Sequence, residues 1–253
     1  MSALNPDLTG RAALVTGTTS GLGRRFAKLL AAHGAKVALT GRRVDRLEEV
    51  AAEIRADGGT CAYFPLDMMD ADNIKQVVAD AEKELGLIDI LINNAGVPDA
   101  QRAHKMSVDL IDTVLGTNLR GPYILSTEVA RRLIEEKKPG RMINISSIAG
   151  FHYDGHGAAL YSISKAGIAR MSEALGVEWA RFNINVNGIA PGFFYSEMTD
   201  GMVERMGDIT QVFPRKRGCA PEQMDSTVLY LVSPASECVT GTVIKVDDGQ
   251  SPR

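Results

Sequence analysis

The chain has 253 residues, 45% of them hydrophobic and 23% charged, with a formal net charge of −3. These values describe a globule able to bury a large core; they exclude a strongly basic nucleic-acid binder, and no apolar run reaches the length of a membrane span. Cys61, Cys219 and Cys238 are far apart and the histidines lack ligand spacing, which excludes a disulfide framework and a metal site. The start of the chain does not read as a signal peptide, so the expected location is cytoplasmic.

Taken in order, Arg11–Gly17 reads as a buried strand, Phe26–His33 as a helix stopped by Gly34, and Ala35–Gly41 as a second strand. An amphipathic helix follows, with Val44, Leu47, Val50, Ala51 and Ile54 in one stripe and Gly58-Gly59 at its end. Thr60–Asp67 is a third strand, Asp72–Leu85 a third helix and Ile88–Gly96 a fourth strand. A long helical region covers about Val108–Glu136, then come a strand at Arg141–Ser147, a helix over Tyr161–Arg181 and a strand at Ile184–Gly192. CVTGTVIKVDDG supplies a seventh strand. Strands separated by helices imply right-handed crossovers and hence a parallel sheet covered on both faces. The expected fold is α/β, one doubly wound domain over residues 1–253 with a predominantly parallel seven-stranded sheet. Ligands then belong beyond the carboxyl ends of the strands, where strand order reverses.

The first strand runs into TGTTSGLG, with Gly17, Gly21 and Gly23 spaced G-x3-G-x-G around Thr19, Ser20 and Leu22. Such a turn brings backbone N–H groups and a helix N-terminus to a pyrophosphate, though alone it also reads as an ordinary strand-to-helix turn. No P-loop pattern is present. At the end of the second strand an acidic residue would select NAD; Gly41 and Arg42 stand there instead, and Arg42 can bond a 2′-phosphate. The expected cofactor is NADP(H), with NAD(H) the alternative if Arg42 and Arg43 only solvate a loop. Asp67, with Met68 beside it, closes the third strand in position to meet an adenine.

The segment LYSISKAG holds Tyr161 four residues before Lys165, on one face of a helix. An isolated pair of this kind reads as a surface contact. Here it occurs with TGTTSGLG, NNAG at 93–96, Asn118 in TNLRG, NISS at 144–147 and NGIAPG at 187–192. Together, in this order and over about Thr9–Gly249, these motifs resemble the short-chain dehydrogenase/reductase family, in its compact single-domain, Rossmann-type branch.

The resemblance implies roles for matching residues. Tyr161 would be the general acid/base, Lys165 its modulator and ribose clamp, Ser147 the anchor of the substrate oxygen, and Asn118 the holder of a relay water. Ser147 precedes Tyr161 by fourteen residues, one more than is common, so Ser146 stays a weaker candidate. Asn93, Asn94, Ala95 and Gly96 would pass the ribose or brace the central strand. Ile189, Pro191 and Gly192 would line the nicotinamide and Ser196 would hold its carboxamide. A free phenol titrates near about 10, and Lys165 is expected to lower that value. The implied activity is NADP(H)-dependent interconversion of a secondary alcohol and a ketone, on a small-molecule substrate and in a homotetramer or dimer.

Residues of about 193–217 would form a substrate-covering lid, in which Met198, Met202 and Met206 recur at four-residue spacing; the alternative is a stripe packed on the body. His152 and His156 flank Tyr153 near the expected pocket, as substrate contacts or as locally satisfied histidines. In VDDGQ, Asp248 replaces a usual glycine. A 3-oxoacyl-thioester reductase (acyl carrier protein or CoA) is the rival enzyme, with Arg102, Lys105 and Arg215–Arg217 as its basic contacts. A non-catalytic dinucleotide-binding scaffold is the rival of another class, which an intact Asn118, Ser147, Tyr161 and Lys165 argue against.

Overall fold

The short strands β1 (Ala12–Thr16), β2 (Lys36–Gly41), β3 (Thr60–Pro65), β4 (Ile90–Asn93), β5 (Gly140–Ile145), β6 (Ile184–Pro191) and β7 (Val243–Val246) form one sheet in the order β3-β2-β1-β4-β5-β6-β7. The computed structural model describes residues 5–99, 101–153, 155 and 157–251; the side chains of Met202, Arg205 and Met206 lie outside the described ones. Every adjacent pair of strands is parallel. The order reverses between β1 and β4, and a crevice opens there past the strand ends.

Alternation along the strands divides the core between the two faces. Ala13 and Val15 of β1 pack with Ile90 and Ile92 of β4 on one side, together with Phe26, Leu30, Leu47 and Ile54. Ala12, Leu14 and Leu91 point the other way, toward Ile74, Val78, Leu125 and Trp179. The helices α1 (Gly21–Ala32), α2 (Val44–Ala56), α3 (Ala71–Leu85), α4 (Val108–Leu115), α5 (Gly121–Glu135) and α6 (Ala159–Trp179) link the strands, followed by α7 (Glu197–Met206) and α8 (Asp225–Val232). Local chemistry sets several ends. Asp70 caps α3 by accepting from the N–H groups of Asp72 and Asn73, and Gly86 ends it at φ +96°.

Four expectations are corrected. Val44 is exposed, because it opens α2 before the helix meets the core. β3 stops at Pro65, so Asp67 lies in the following turn, where its Oδ1 accepts from the Met69 N–H at 2.9 Å. The region 108–136 is not one α-helix. Residues Gly116–Arg120 form a wide π turn in which the Gly121 N–H reaches back to the Gly116 carbonyl. Glycine is required at 121, since a Cβ there would lie 2.4 Å from the Met68 carbonyl oxygen. Finally, Ile189 is fully buried in the sheet core and does not line the cleft at the strand ends. No sequence expectation covered α8, whose one apolar turn is too short for a clear period.

Candidate active site

At the reversal point the β1–α1 turn bends tightly. Gly17 and Gly21 take φ of +72° and +52°, and a Cβ on Gly23 would lie 2.2 Å from the Gly17 carbonyl oxygen. Gly23 therefore packs beneath the turn, while Gly17, Thr19, Ser20, Gly21 and Leu22 face a cleft of about 410 Å³. Ser20 leaves the start of α1 without a side-chain cap, and no acidic residue occupies its first turn. An uncapped, acid-free helix start beside two left-handed glycines suits a pyrophosphate.

The cleft runs on past Arg42, Asp67 and Met68 at one end and past Asn94, Ala95 and Gly96 in the middle. Thr16 fixes that middle wall: its Oγ1 accepts from the N–H groups of Asn94 and Ala95, both at 2.9 Å. Asn93 points away and braces the sheet, donating to Ser126 Oγ and Asn144 Oδ1. Ser147, Tyr161 and Lys165 form the far end, with Pro191, Gly192 and Ser196 opposite. Sequence reading missed Thr16, Thr40, Thr117, Arg43 and Glu197 as lining residues. A basic residue next to Arg42 was the one available signal, for Arg43.

The floor of the cleft is held by buried polar bonds. Lys165 is 4% exposed, and its Nζ donates to the Ile145 carbonyl at 2.8 Å. Burial lowers its pKa to about 8. Its ammonium lies over the Tyr161 ring, 5.6 Å from the centroid. Ser146 and Ser147 divide their tasks. Ser146 Oγ donates to the Lys165 carbonyl at 2.7 Å, tying α6 to β5, while Ser147 faces the cleft with Tyr161 and its Oγ accepts from the Ala149 N–H. Asn118 is buried behind the wall: Nδ2 donates to the Val97 carbonyl and to Ser164 Oγ, and Oδ1 accepts from the Val97 N–H. The absent side chain of Gly96 leaves Lys165 Nζ and Asn118 Oδ1 each 3.4 Å from where a Cβ would be.

The expected lowering of the phenol is corrected. Burial raises the Tyr161 pKa; the neighbouring Ser147 hydroxyl opposes this, and the nearby Asp99 adds to it. The reason is geometric. The Lys165 ammonium is spent on a backbone carbonyl and on the ring face, at a cost to its own charge. Asp99 is 3% exposed, with Oδ2 accepting from the Leu160 N–H at 2.9 Å and Oδ1 unpartnered among the described residues.

At the margins, Met198 lines the cleft at 41% exposure, whereas the stripe expected at Met202 and Met206 falls outside the described side chains. His152 is exposed and His156 lies outside the described residues. Asp248 stands at φ +53° and pairs with both Arg215 and Arg217. Among the described residues no group of metal ligands is found and no helix is long and apolar enough to cross a membrane.

Comparison with known proteins agrees with this geometry. Residues 11–207 match the family model for short chain dehydrogenases. Nodulation protein G of Rhizobium sp. (strain N33) is 38% identical over 244 residues, covering 96% of this chain and 98% of that protein. Gluconate 5-dehydrogenase of Gluconobacter oxydans is 33% identical, covering 97% of each chain. The 3-oxoacyl-[acyl-carrier-protein] reductase of Thermotoga maritima is 33% identical, covering 96% of this chain and 98% of that one. The structure of an actinorhodin polyketide ketoreductase variant with NADPH superposes with a TM-score of 0.92 at 31% identity, covering 96% and 98% of the two chains. With a matching family model over most of its length, and with relatives and a solved structure at 31% identity or more covered almost end to end, the chain belongs to the short-chain dehydrogenase family as an NAD(P)-dependent oxidoreductase that interconverts CH–OH and C=O groups.

Proposed function

We propose that the protein is an NADP(H)-preferring reductase of a small ketone, or dehydrogenase of the matching secondary alcohol, with Tyr161 as the acid/base. The observation that carries this reading is the convergence of Tyr161 and Ser147 above a buried Lys165, at the end of the cleft that begins at the glycine turn. A bound nicotinamide dinucleotide supplies the hydride donor or acceptor.

Tyr161 hands its proton to the carbonyl oxygen in reduction and takes it back in oxidation. A phenol raised by burial is well suited to the first of these, because it stays protonated through neutral pH. Ser147 donates to the same oxygen and fixes where it lies. Lys165 supplies positive charge beside the phenol and an N–H for a ribose hydroxyl. Asn118 acts through position: it clamps Val97 to the π turn, which keeps the middle wall in register with α6. At the other end, Arg42 and Arg43 favour a 2′-phosphate over a 2′-hydroxyl. Residues 193–217, containing α7, cover the substrate end, and Met198 gives that cover an apolar lining.

The test is a cofactor titration followed by a ketone panel. Tighter NADPH than NADH binding, with turnover of ketones lost in Tyr161→Phe, is the expected outcome. Equal binding of both cofactors would remove the NADP preference and leave the family untouched.

A second reading, an acyl-thioester reductase, is supported by the reductase relative of Thermotoga maritima. Against it, the basic cluster that would meet an acidic carrier is partly spent: Arg215 and Arg217 pair with Asp248, and Arg102 donates to the Gly155 carbonyl. Turnover of acyl thioesters with none of free ketones would favour this second reading.

A further inference from the structure

One wall of the cofactor cleft carries a carboxylate where an anion is to bind. Arg43, at the start of α2, sends its Nη2 to Thr19 Oγ1 at 2.7 Å, to Ser20 Oγ at 3.3 Å and to Glu197 Oε2 at 3.0 Å. Thr19 and Ser20 belong to the glycine turn and Glu197 is the first residue of α7, so one guanidinium joins three separate walls. The root of α7 is seated on the turn itself: a Cβ on Gly21 would come within 3.1 Å of Ser196 Cβ. The Arg43 and Glu197 side chains are 46% and 54% exposed, which leaves the pair open to exchange. Arg42, its neighbour, makes no hydrogen bond or ion pair among the described residues.

We propose that Glu197 is a specificity-determining residue that holds Arg43 as an internal anion, and that an adenosine 2′-phosphate must displace it. A guanidinium offers a fork that one planar or tetrahedral anion fills well. A 2′-phosphate arriving beside Arg42 and Arg43 meets the Glu197 charge and competes with it for the same N–H groups. A cofactor with a bare 2′-hydroxyl makes no such demand and leaves the pair, and the root of α7, in place. Glu197 thereby weakens the bias toward the phosphorylated cofactor that the two arginines create. Binding of that cofactor also loosens one tie between the lid and the phosphate turn. This inference rests on the NADP reading above and deepens it.

The experiment measures binding of adenosine 2′,5′-bisphosphate and of ADP by calorimetry at low salt, in wild type, Glu197→Gln, Arg43→Gln and the double variant. Both residues are exposed, so the variants are expected to fold. In wild type the 2′-phosphate compound binds more tightly than ADP. Glu197→Gln tightens that compound by a further factor of about three to five, the range of one exposed ion pair, and leaves ADP within about twofold. Arg43→Gln weakens the 2′-phosphate compound about tenfold, and in that background Glu197→Gln has no further effect. A wild-type preference unmoved by Glu197→Gln, or equal tightening of both compounds, overturns the proposal while leaving the NADP reading standing. A wild type without preference that acquires one in Glu197→Gln overturns the NADP reading and supports the proposal. No preference in either protein overturns both.

Discussion

The two ends of the cleft are built on opposite plans. At the proposed substrate end Lys165, Asn118 and Ser146 are buried, and each is bound to backbone or to another buried side chain. At the proposed adenosine end Arg42, Arg43 and Glu197 are exposed, and the one ion pair among them spans separate walls. The contrast suits the role proposed for each end. Proton transfer needs fixed distances and charges stripped of water, whereas phosphate recognition needs charges that can let go of one anion and take another.

Substitutions can break this contrast at its strongest point first. Tyr161→Phe should cost at least about a thousandfold in turnover while leaving cofactor titration unchanged; similar losses in both would mean that the tyrosine serves mainly to bind. Lys165→Met should be nearly as damaging to turnover, yet raise stability. With its pKa lowered to about 8, the folded protein at neutral pH bears the cost of a buried ammonium, on the order of 3 kcal/mol, offset in part by the bond to the Ile145 carbonyl. Above about pH 8 the folded state releases this proton while the unfolded chain keeps it. Wild type should therefore gain stability relative to Lys165→Met as pH rises from 8, which denaturant melts at several pH values would read. A parallel pH dependence in the two proteins would mean that Lys165 is not the strained charge.

A smaller effect is expected at Asp99. Its charge helps to raise the Tyr161 phenol, so Asp99→Asn should move the alkaline limb of the reduction profile to lower pH. Asn can still accept from the Leu160 N–H, so stability should change by no more than about 1 kcal/mol. An unmoved profile would assign Asp99 to helix capping alone. Smallest of all is Asp248→Gly, where relief of the left-handed backbone, about 0.5–1 kcal/mol, is set against two exposed ion pairs to Arg215 and Arg217. Thermal melts should differ by no more than about 2 °C, and a large drop would reveal a structural strap rather than a surface contact.

Much of the framework was legible because its signals are local. The short apolar runs of β1 and β4, the glycines of the first turn and the four-residue interval from Tyr161 to Lys165 all act within a few residues. What escaped depends on distant partners. Nothing near residue 116 announces the π turn, which arises where Asn118 meets Val97 and Gly121 meets Met68 across the fold. Arg42 and Arg43 are equal in sequence, and only the direction of the chain leaving β2 turns Arg43 toward Thr19. The sign of the Tyr161 shift was unreadable because it sets burial and Asp99 against Ser147, groups brought together from separate segments.

The π turn gives the α4–α5 segment a fixed reading frame. Each residue of an α-helix advances the side-chain direction by about 100°, and the wide turn stores one residue that a regular helix would not hold. Deleting a single residue between Leu115 and Pro122 would let the backbone relax into an ordinary helix. One half would then be rotated against the other by about that angle, carrying Asn118 off Val97 and Ser164 or taking Gly121 off the Met68 carbonyl. The segment thus tolerates exchange of side chains on its outer face but not a change of length, and its residue count is as much a part of the active site as its asparagine.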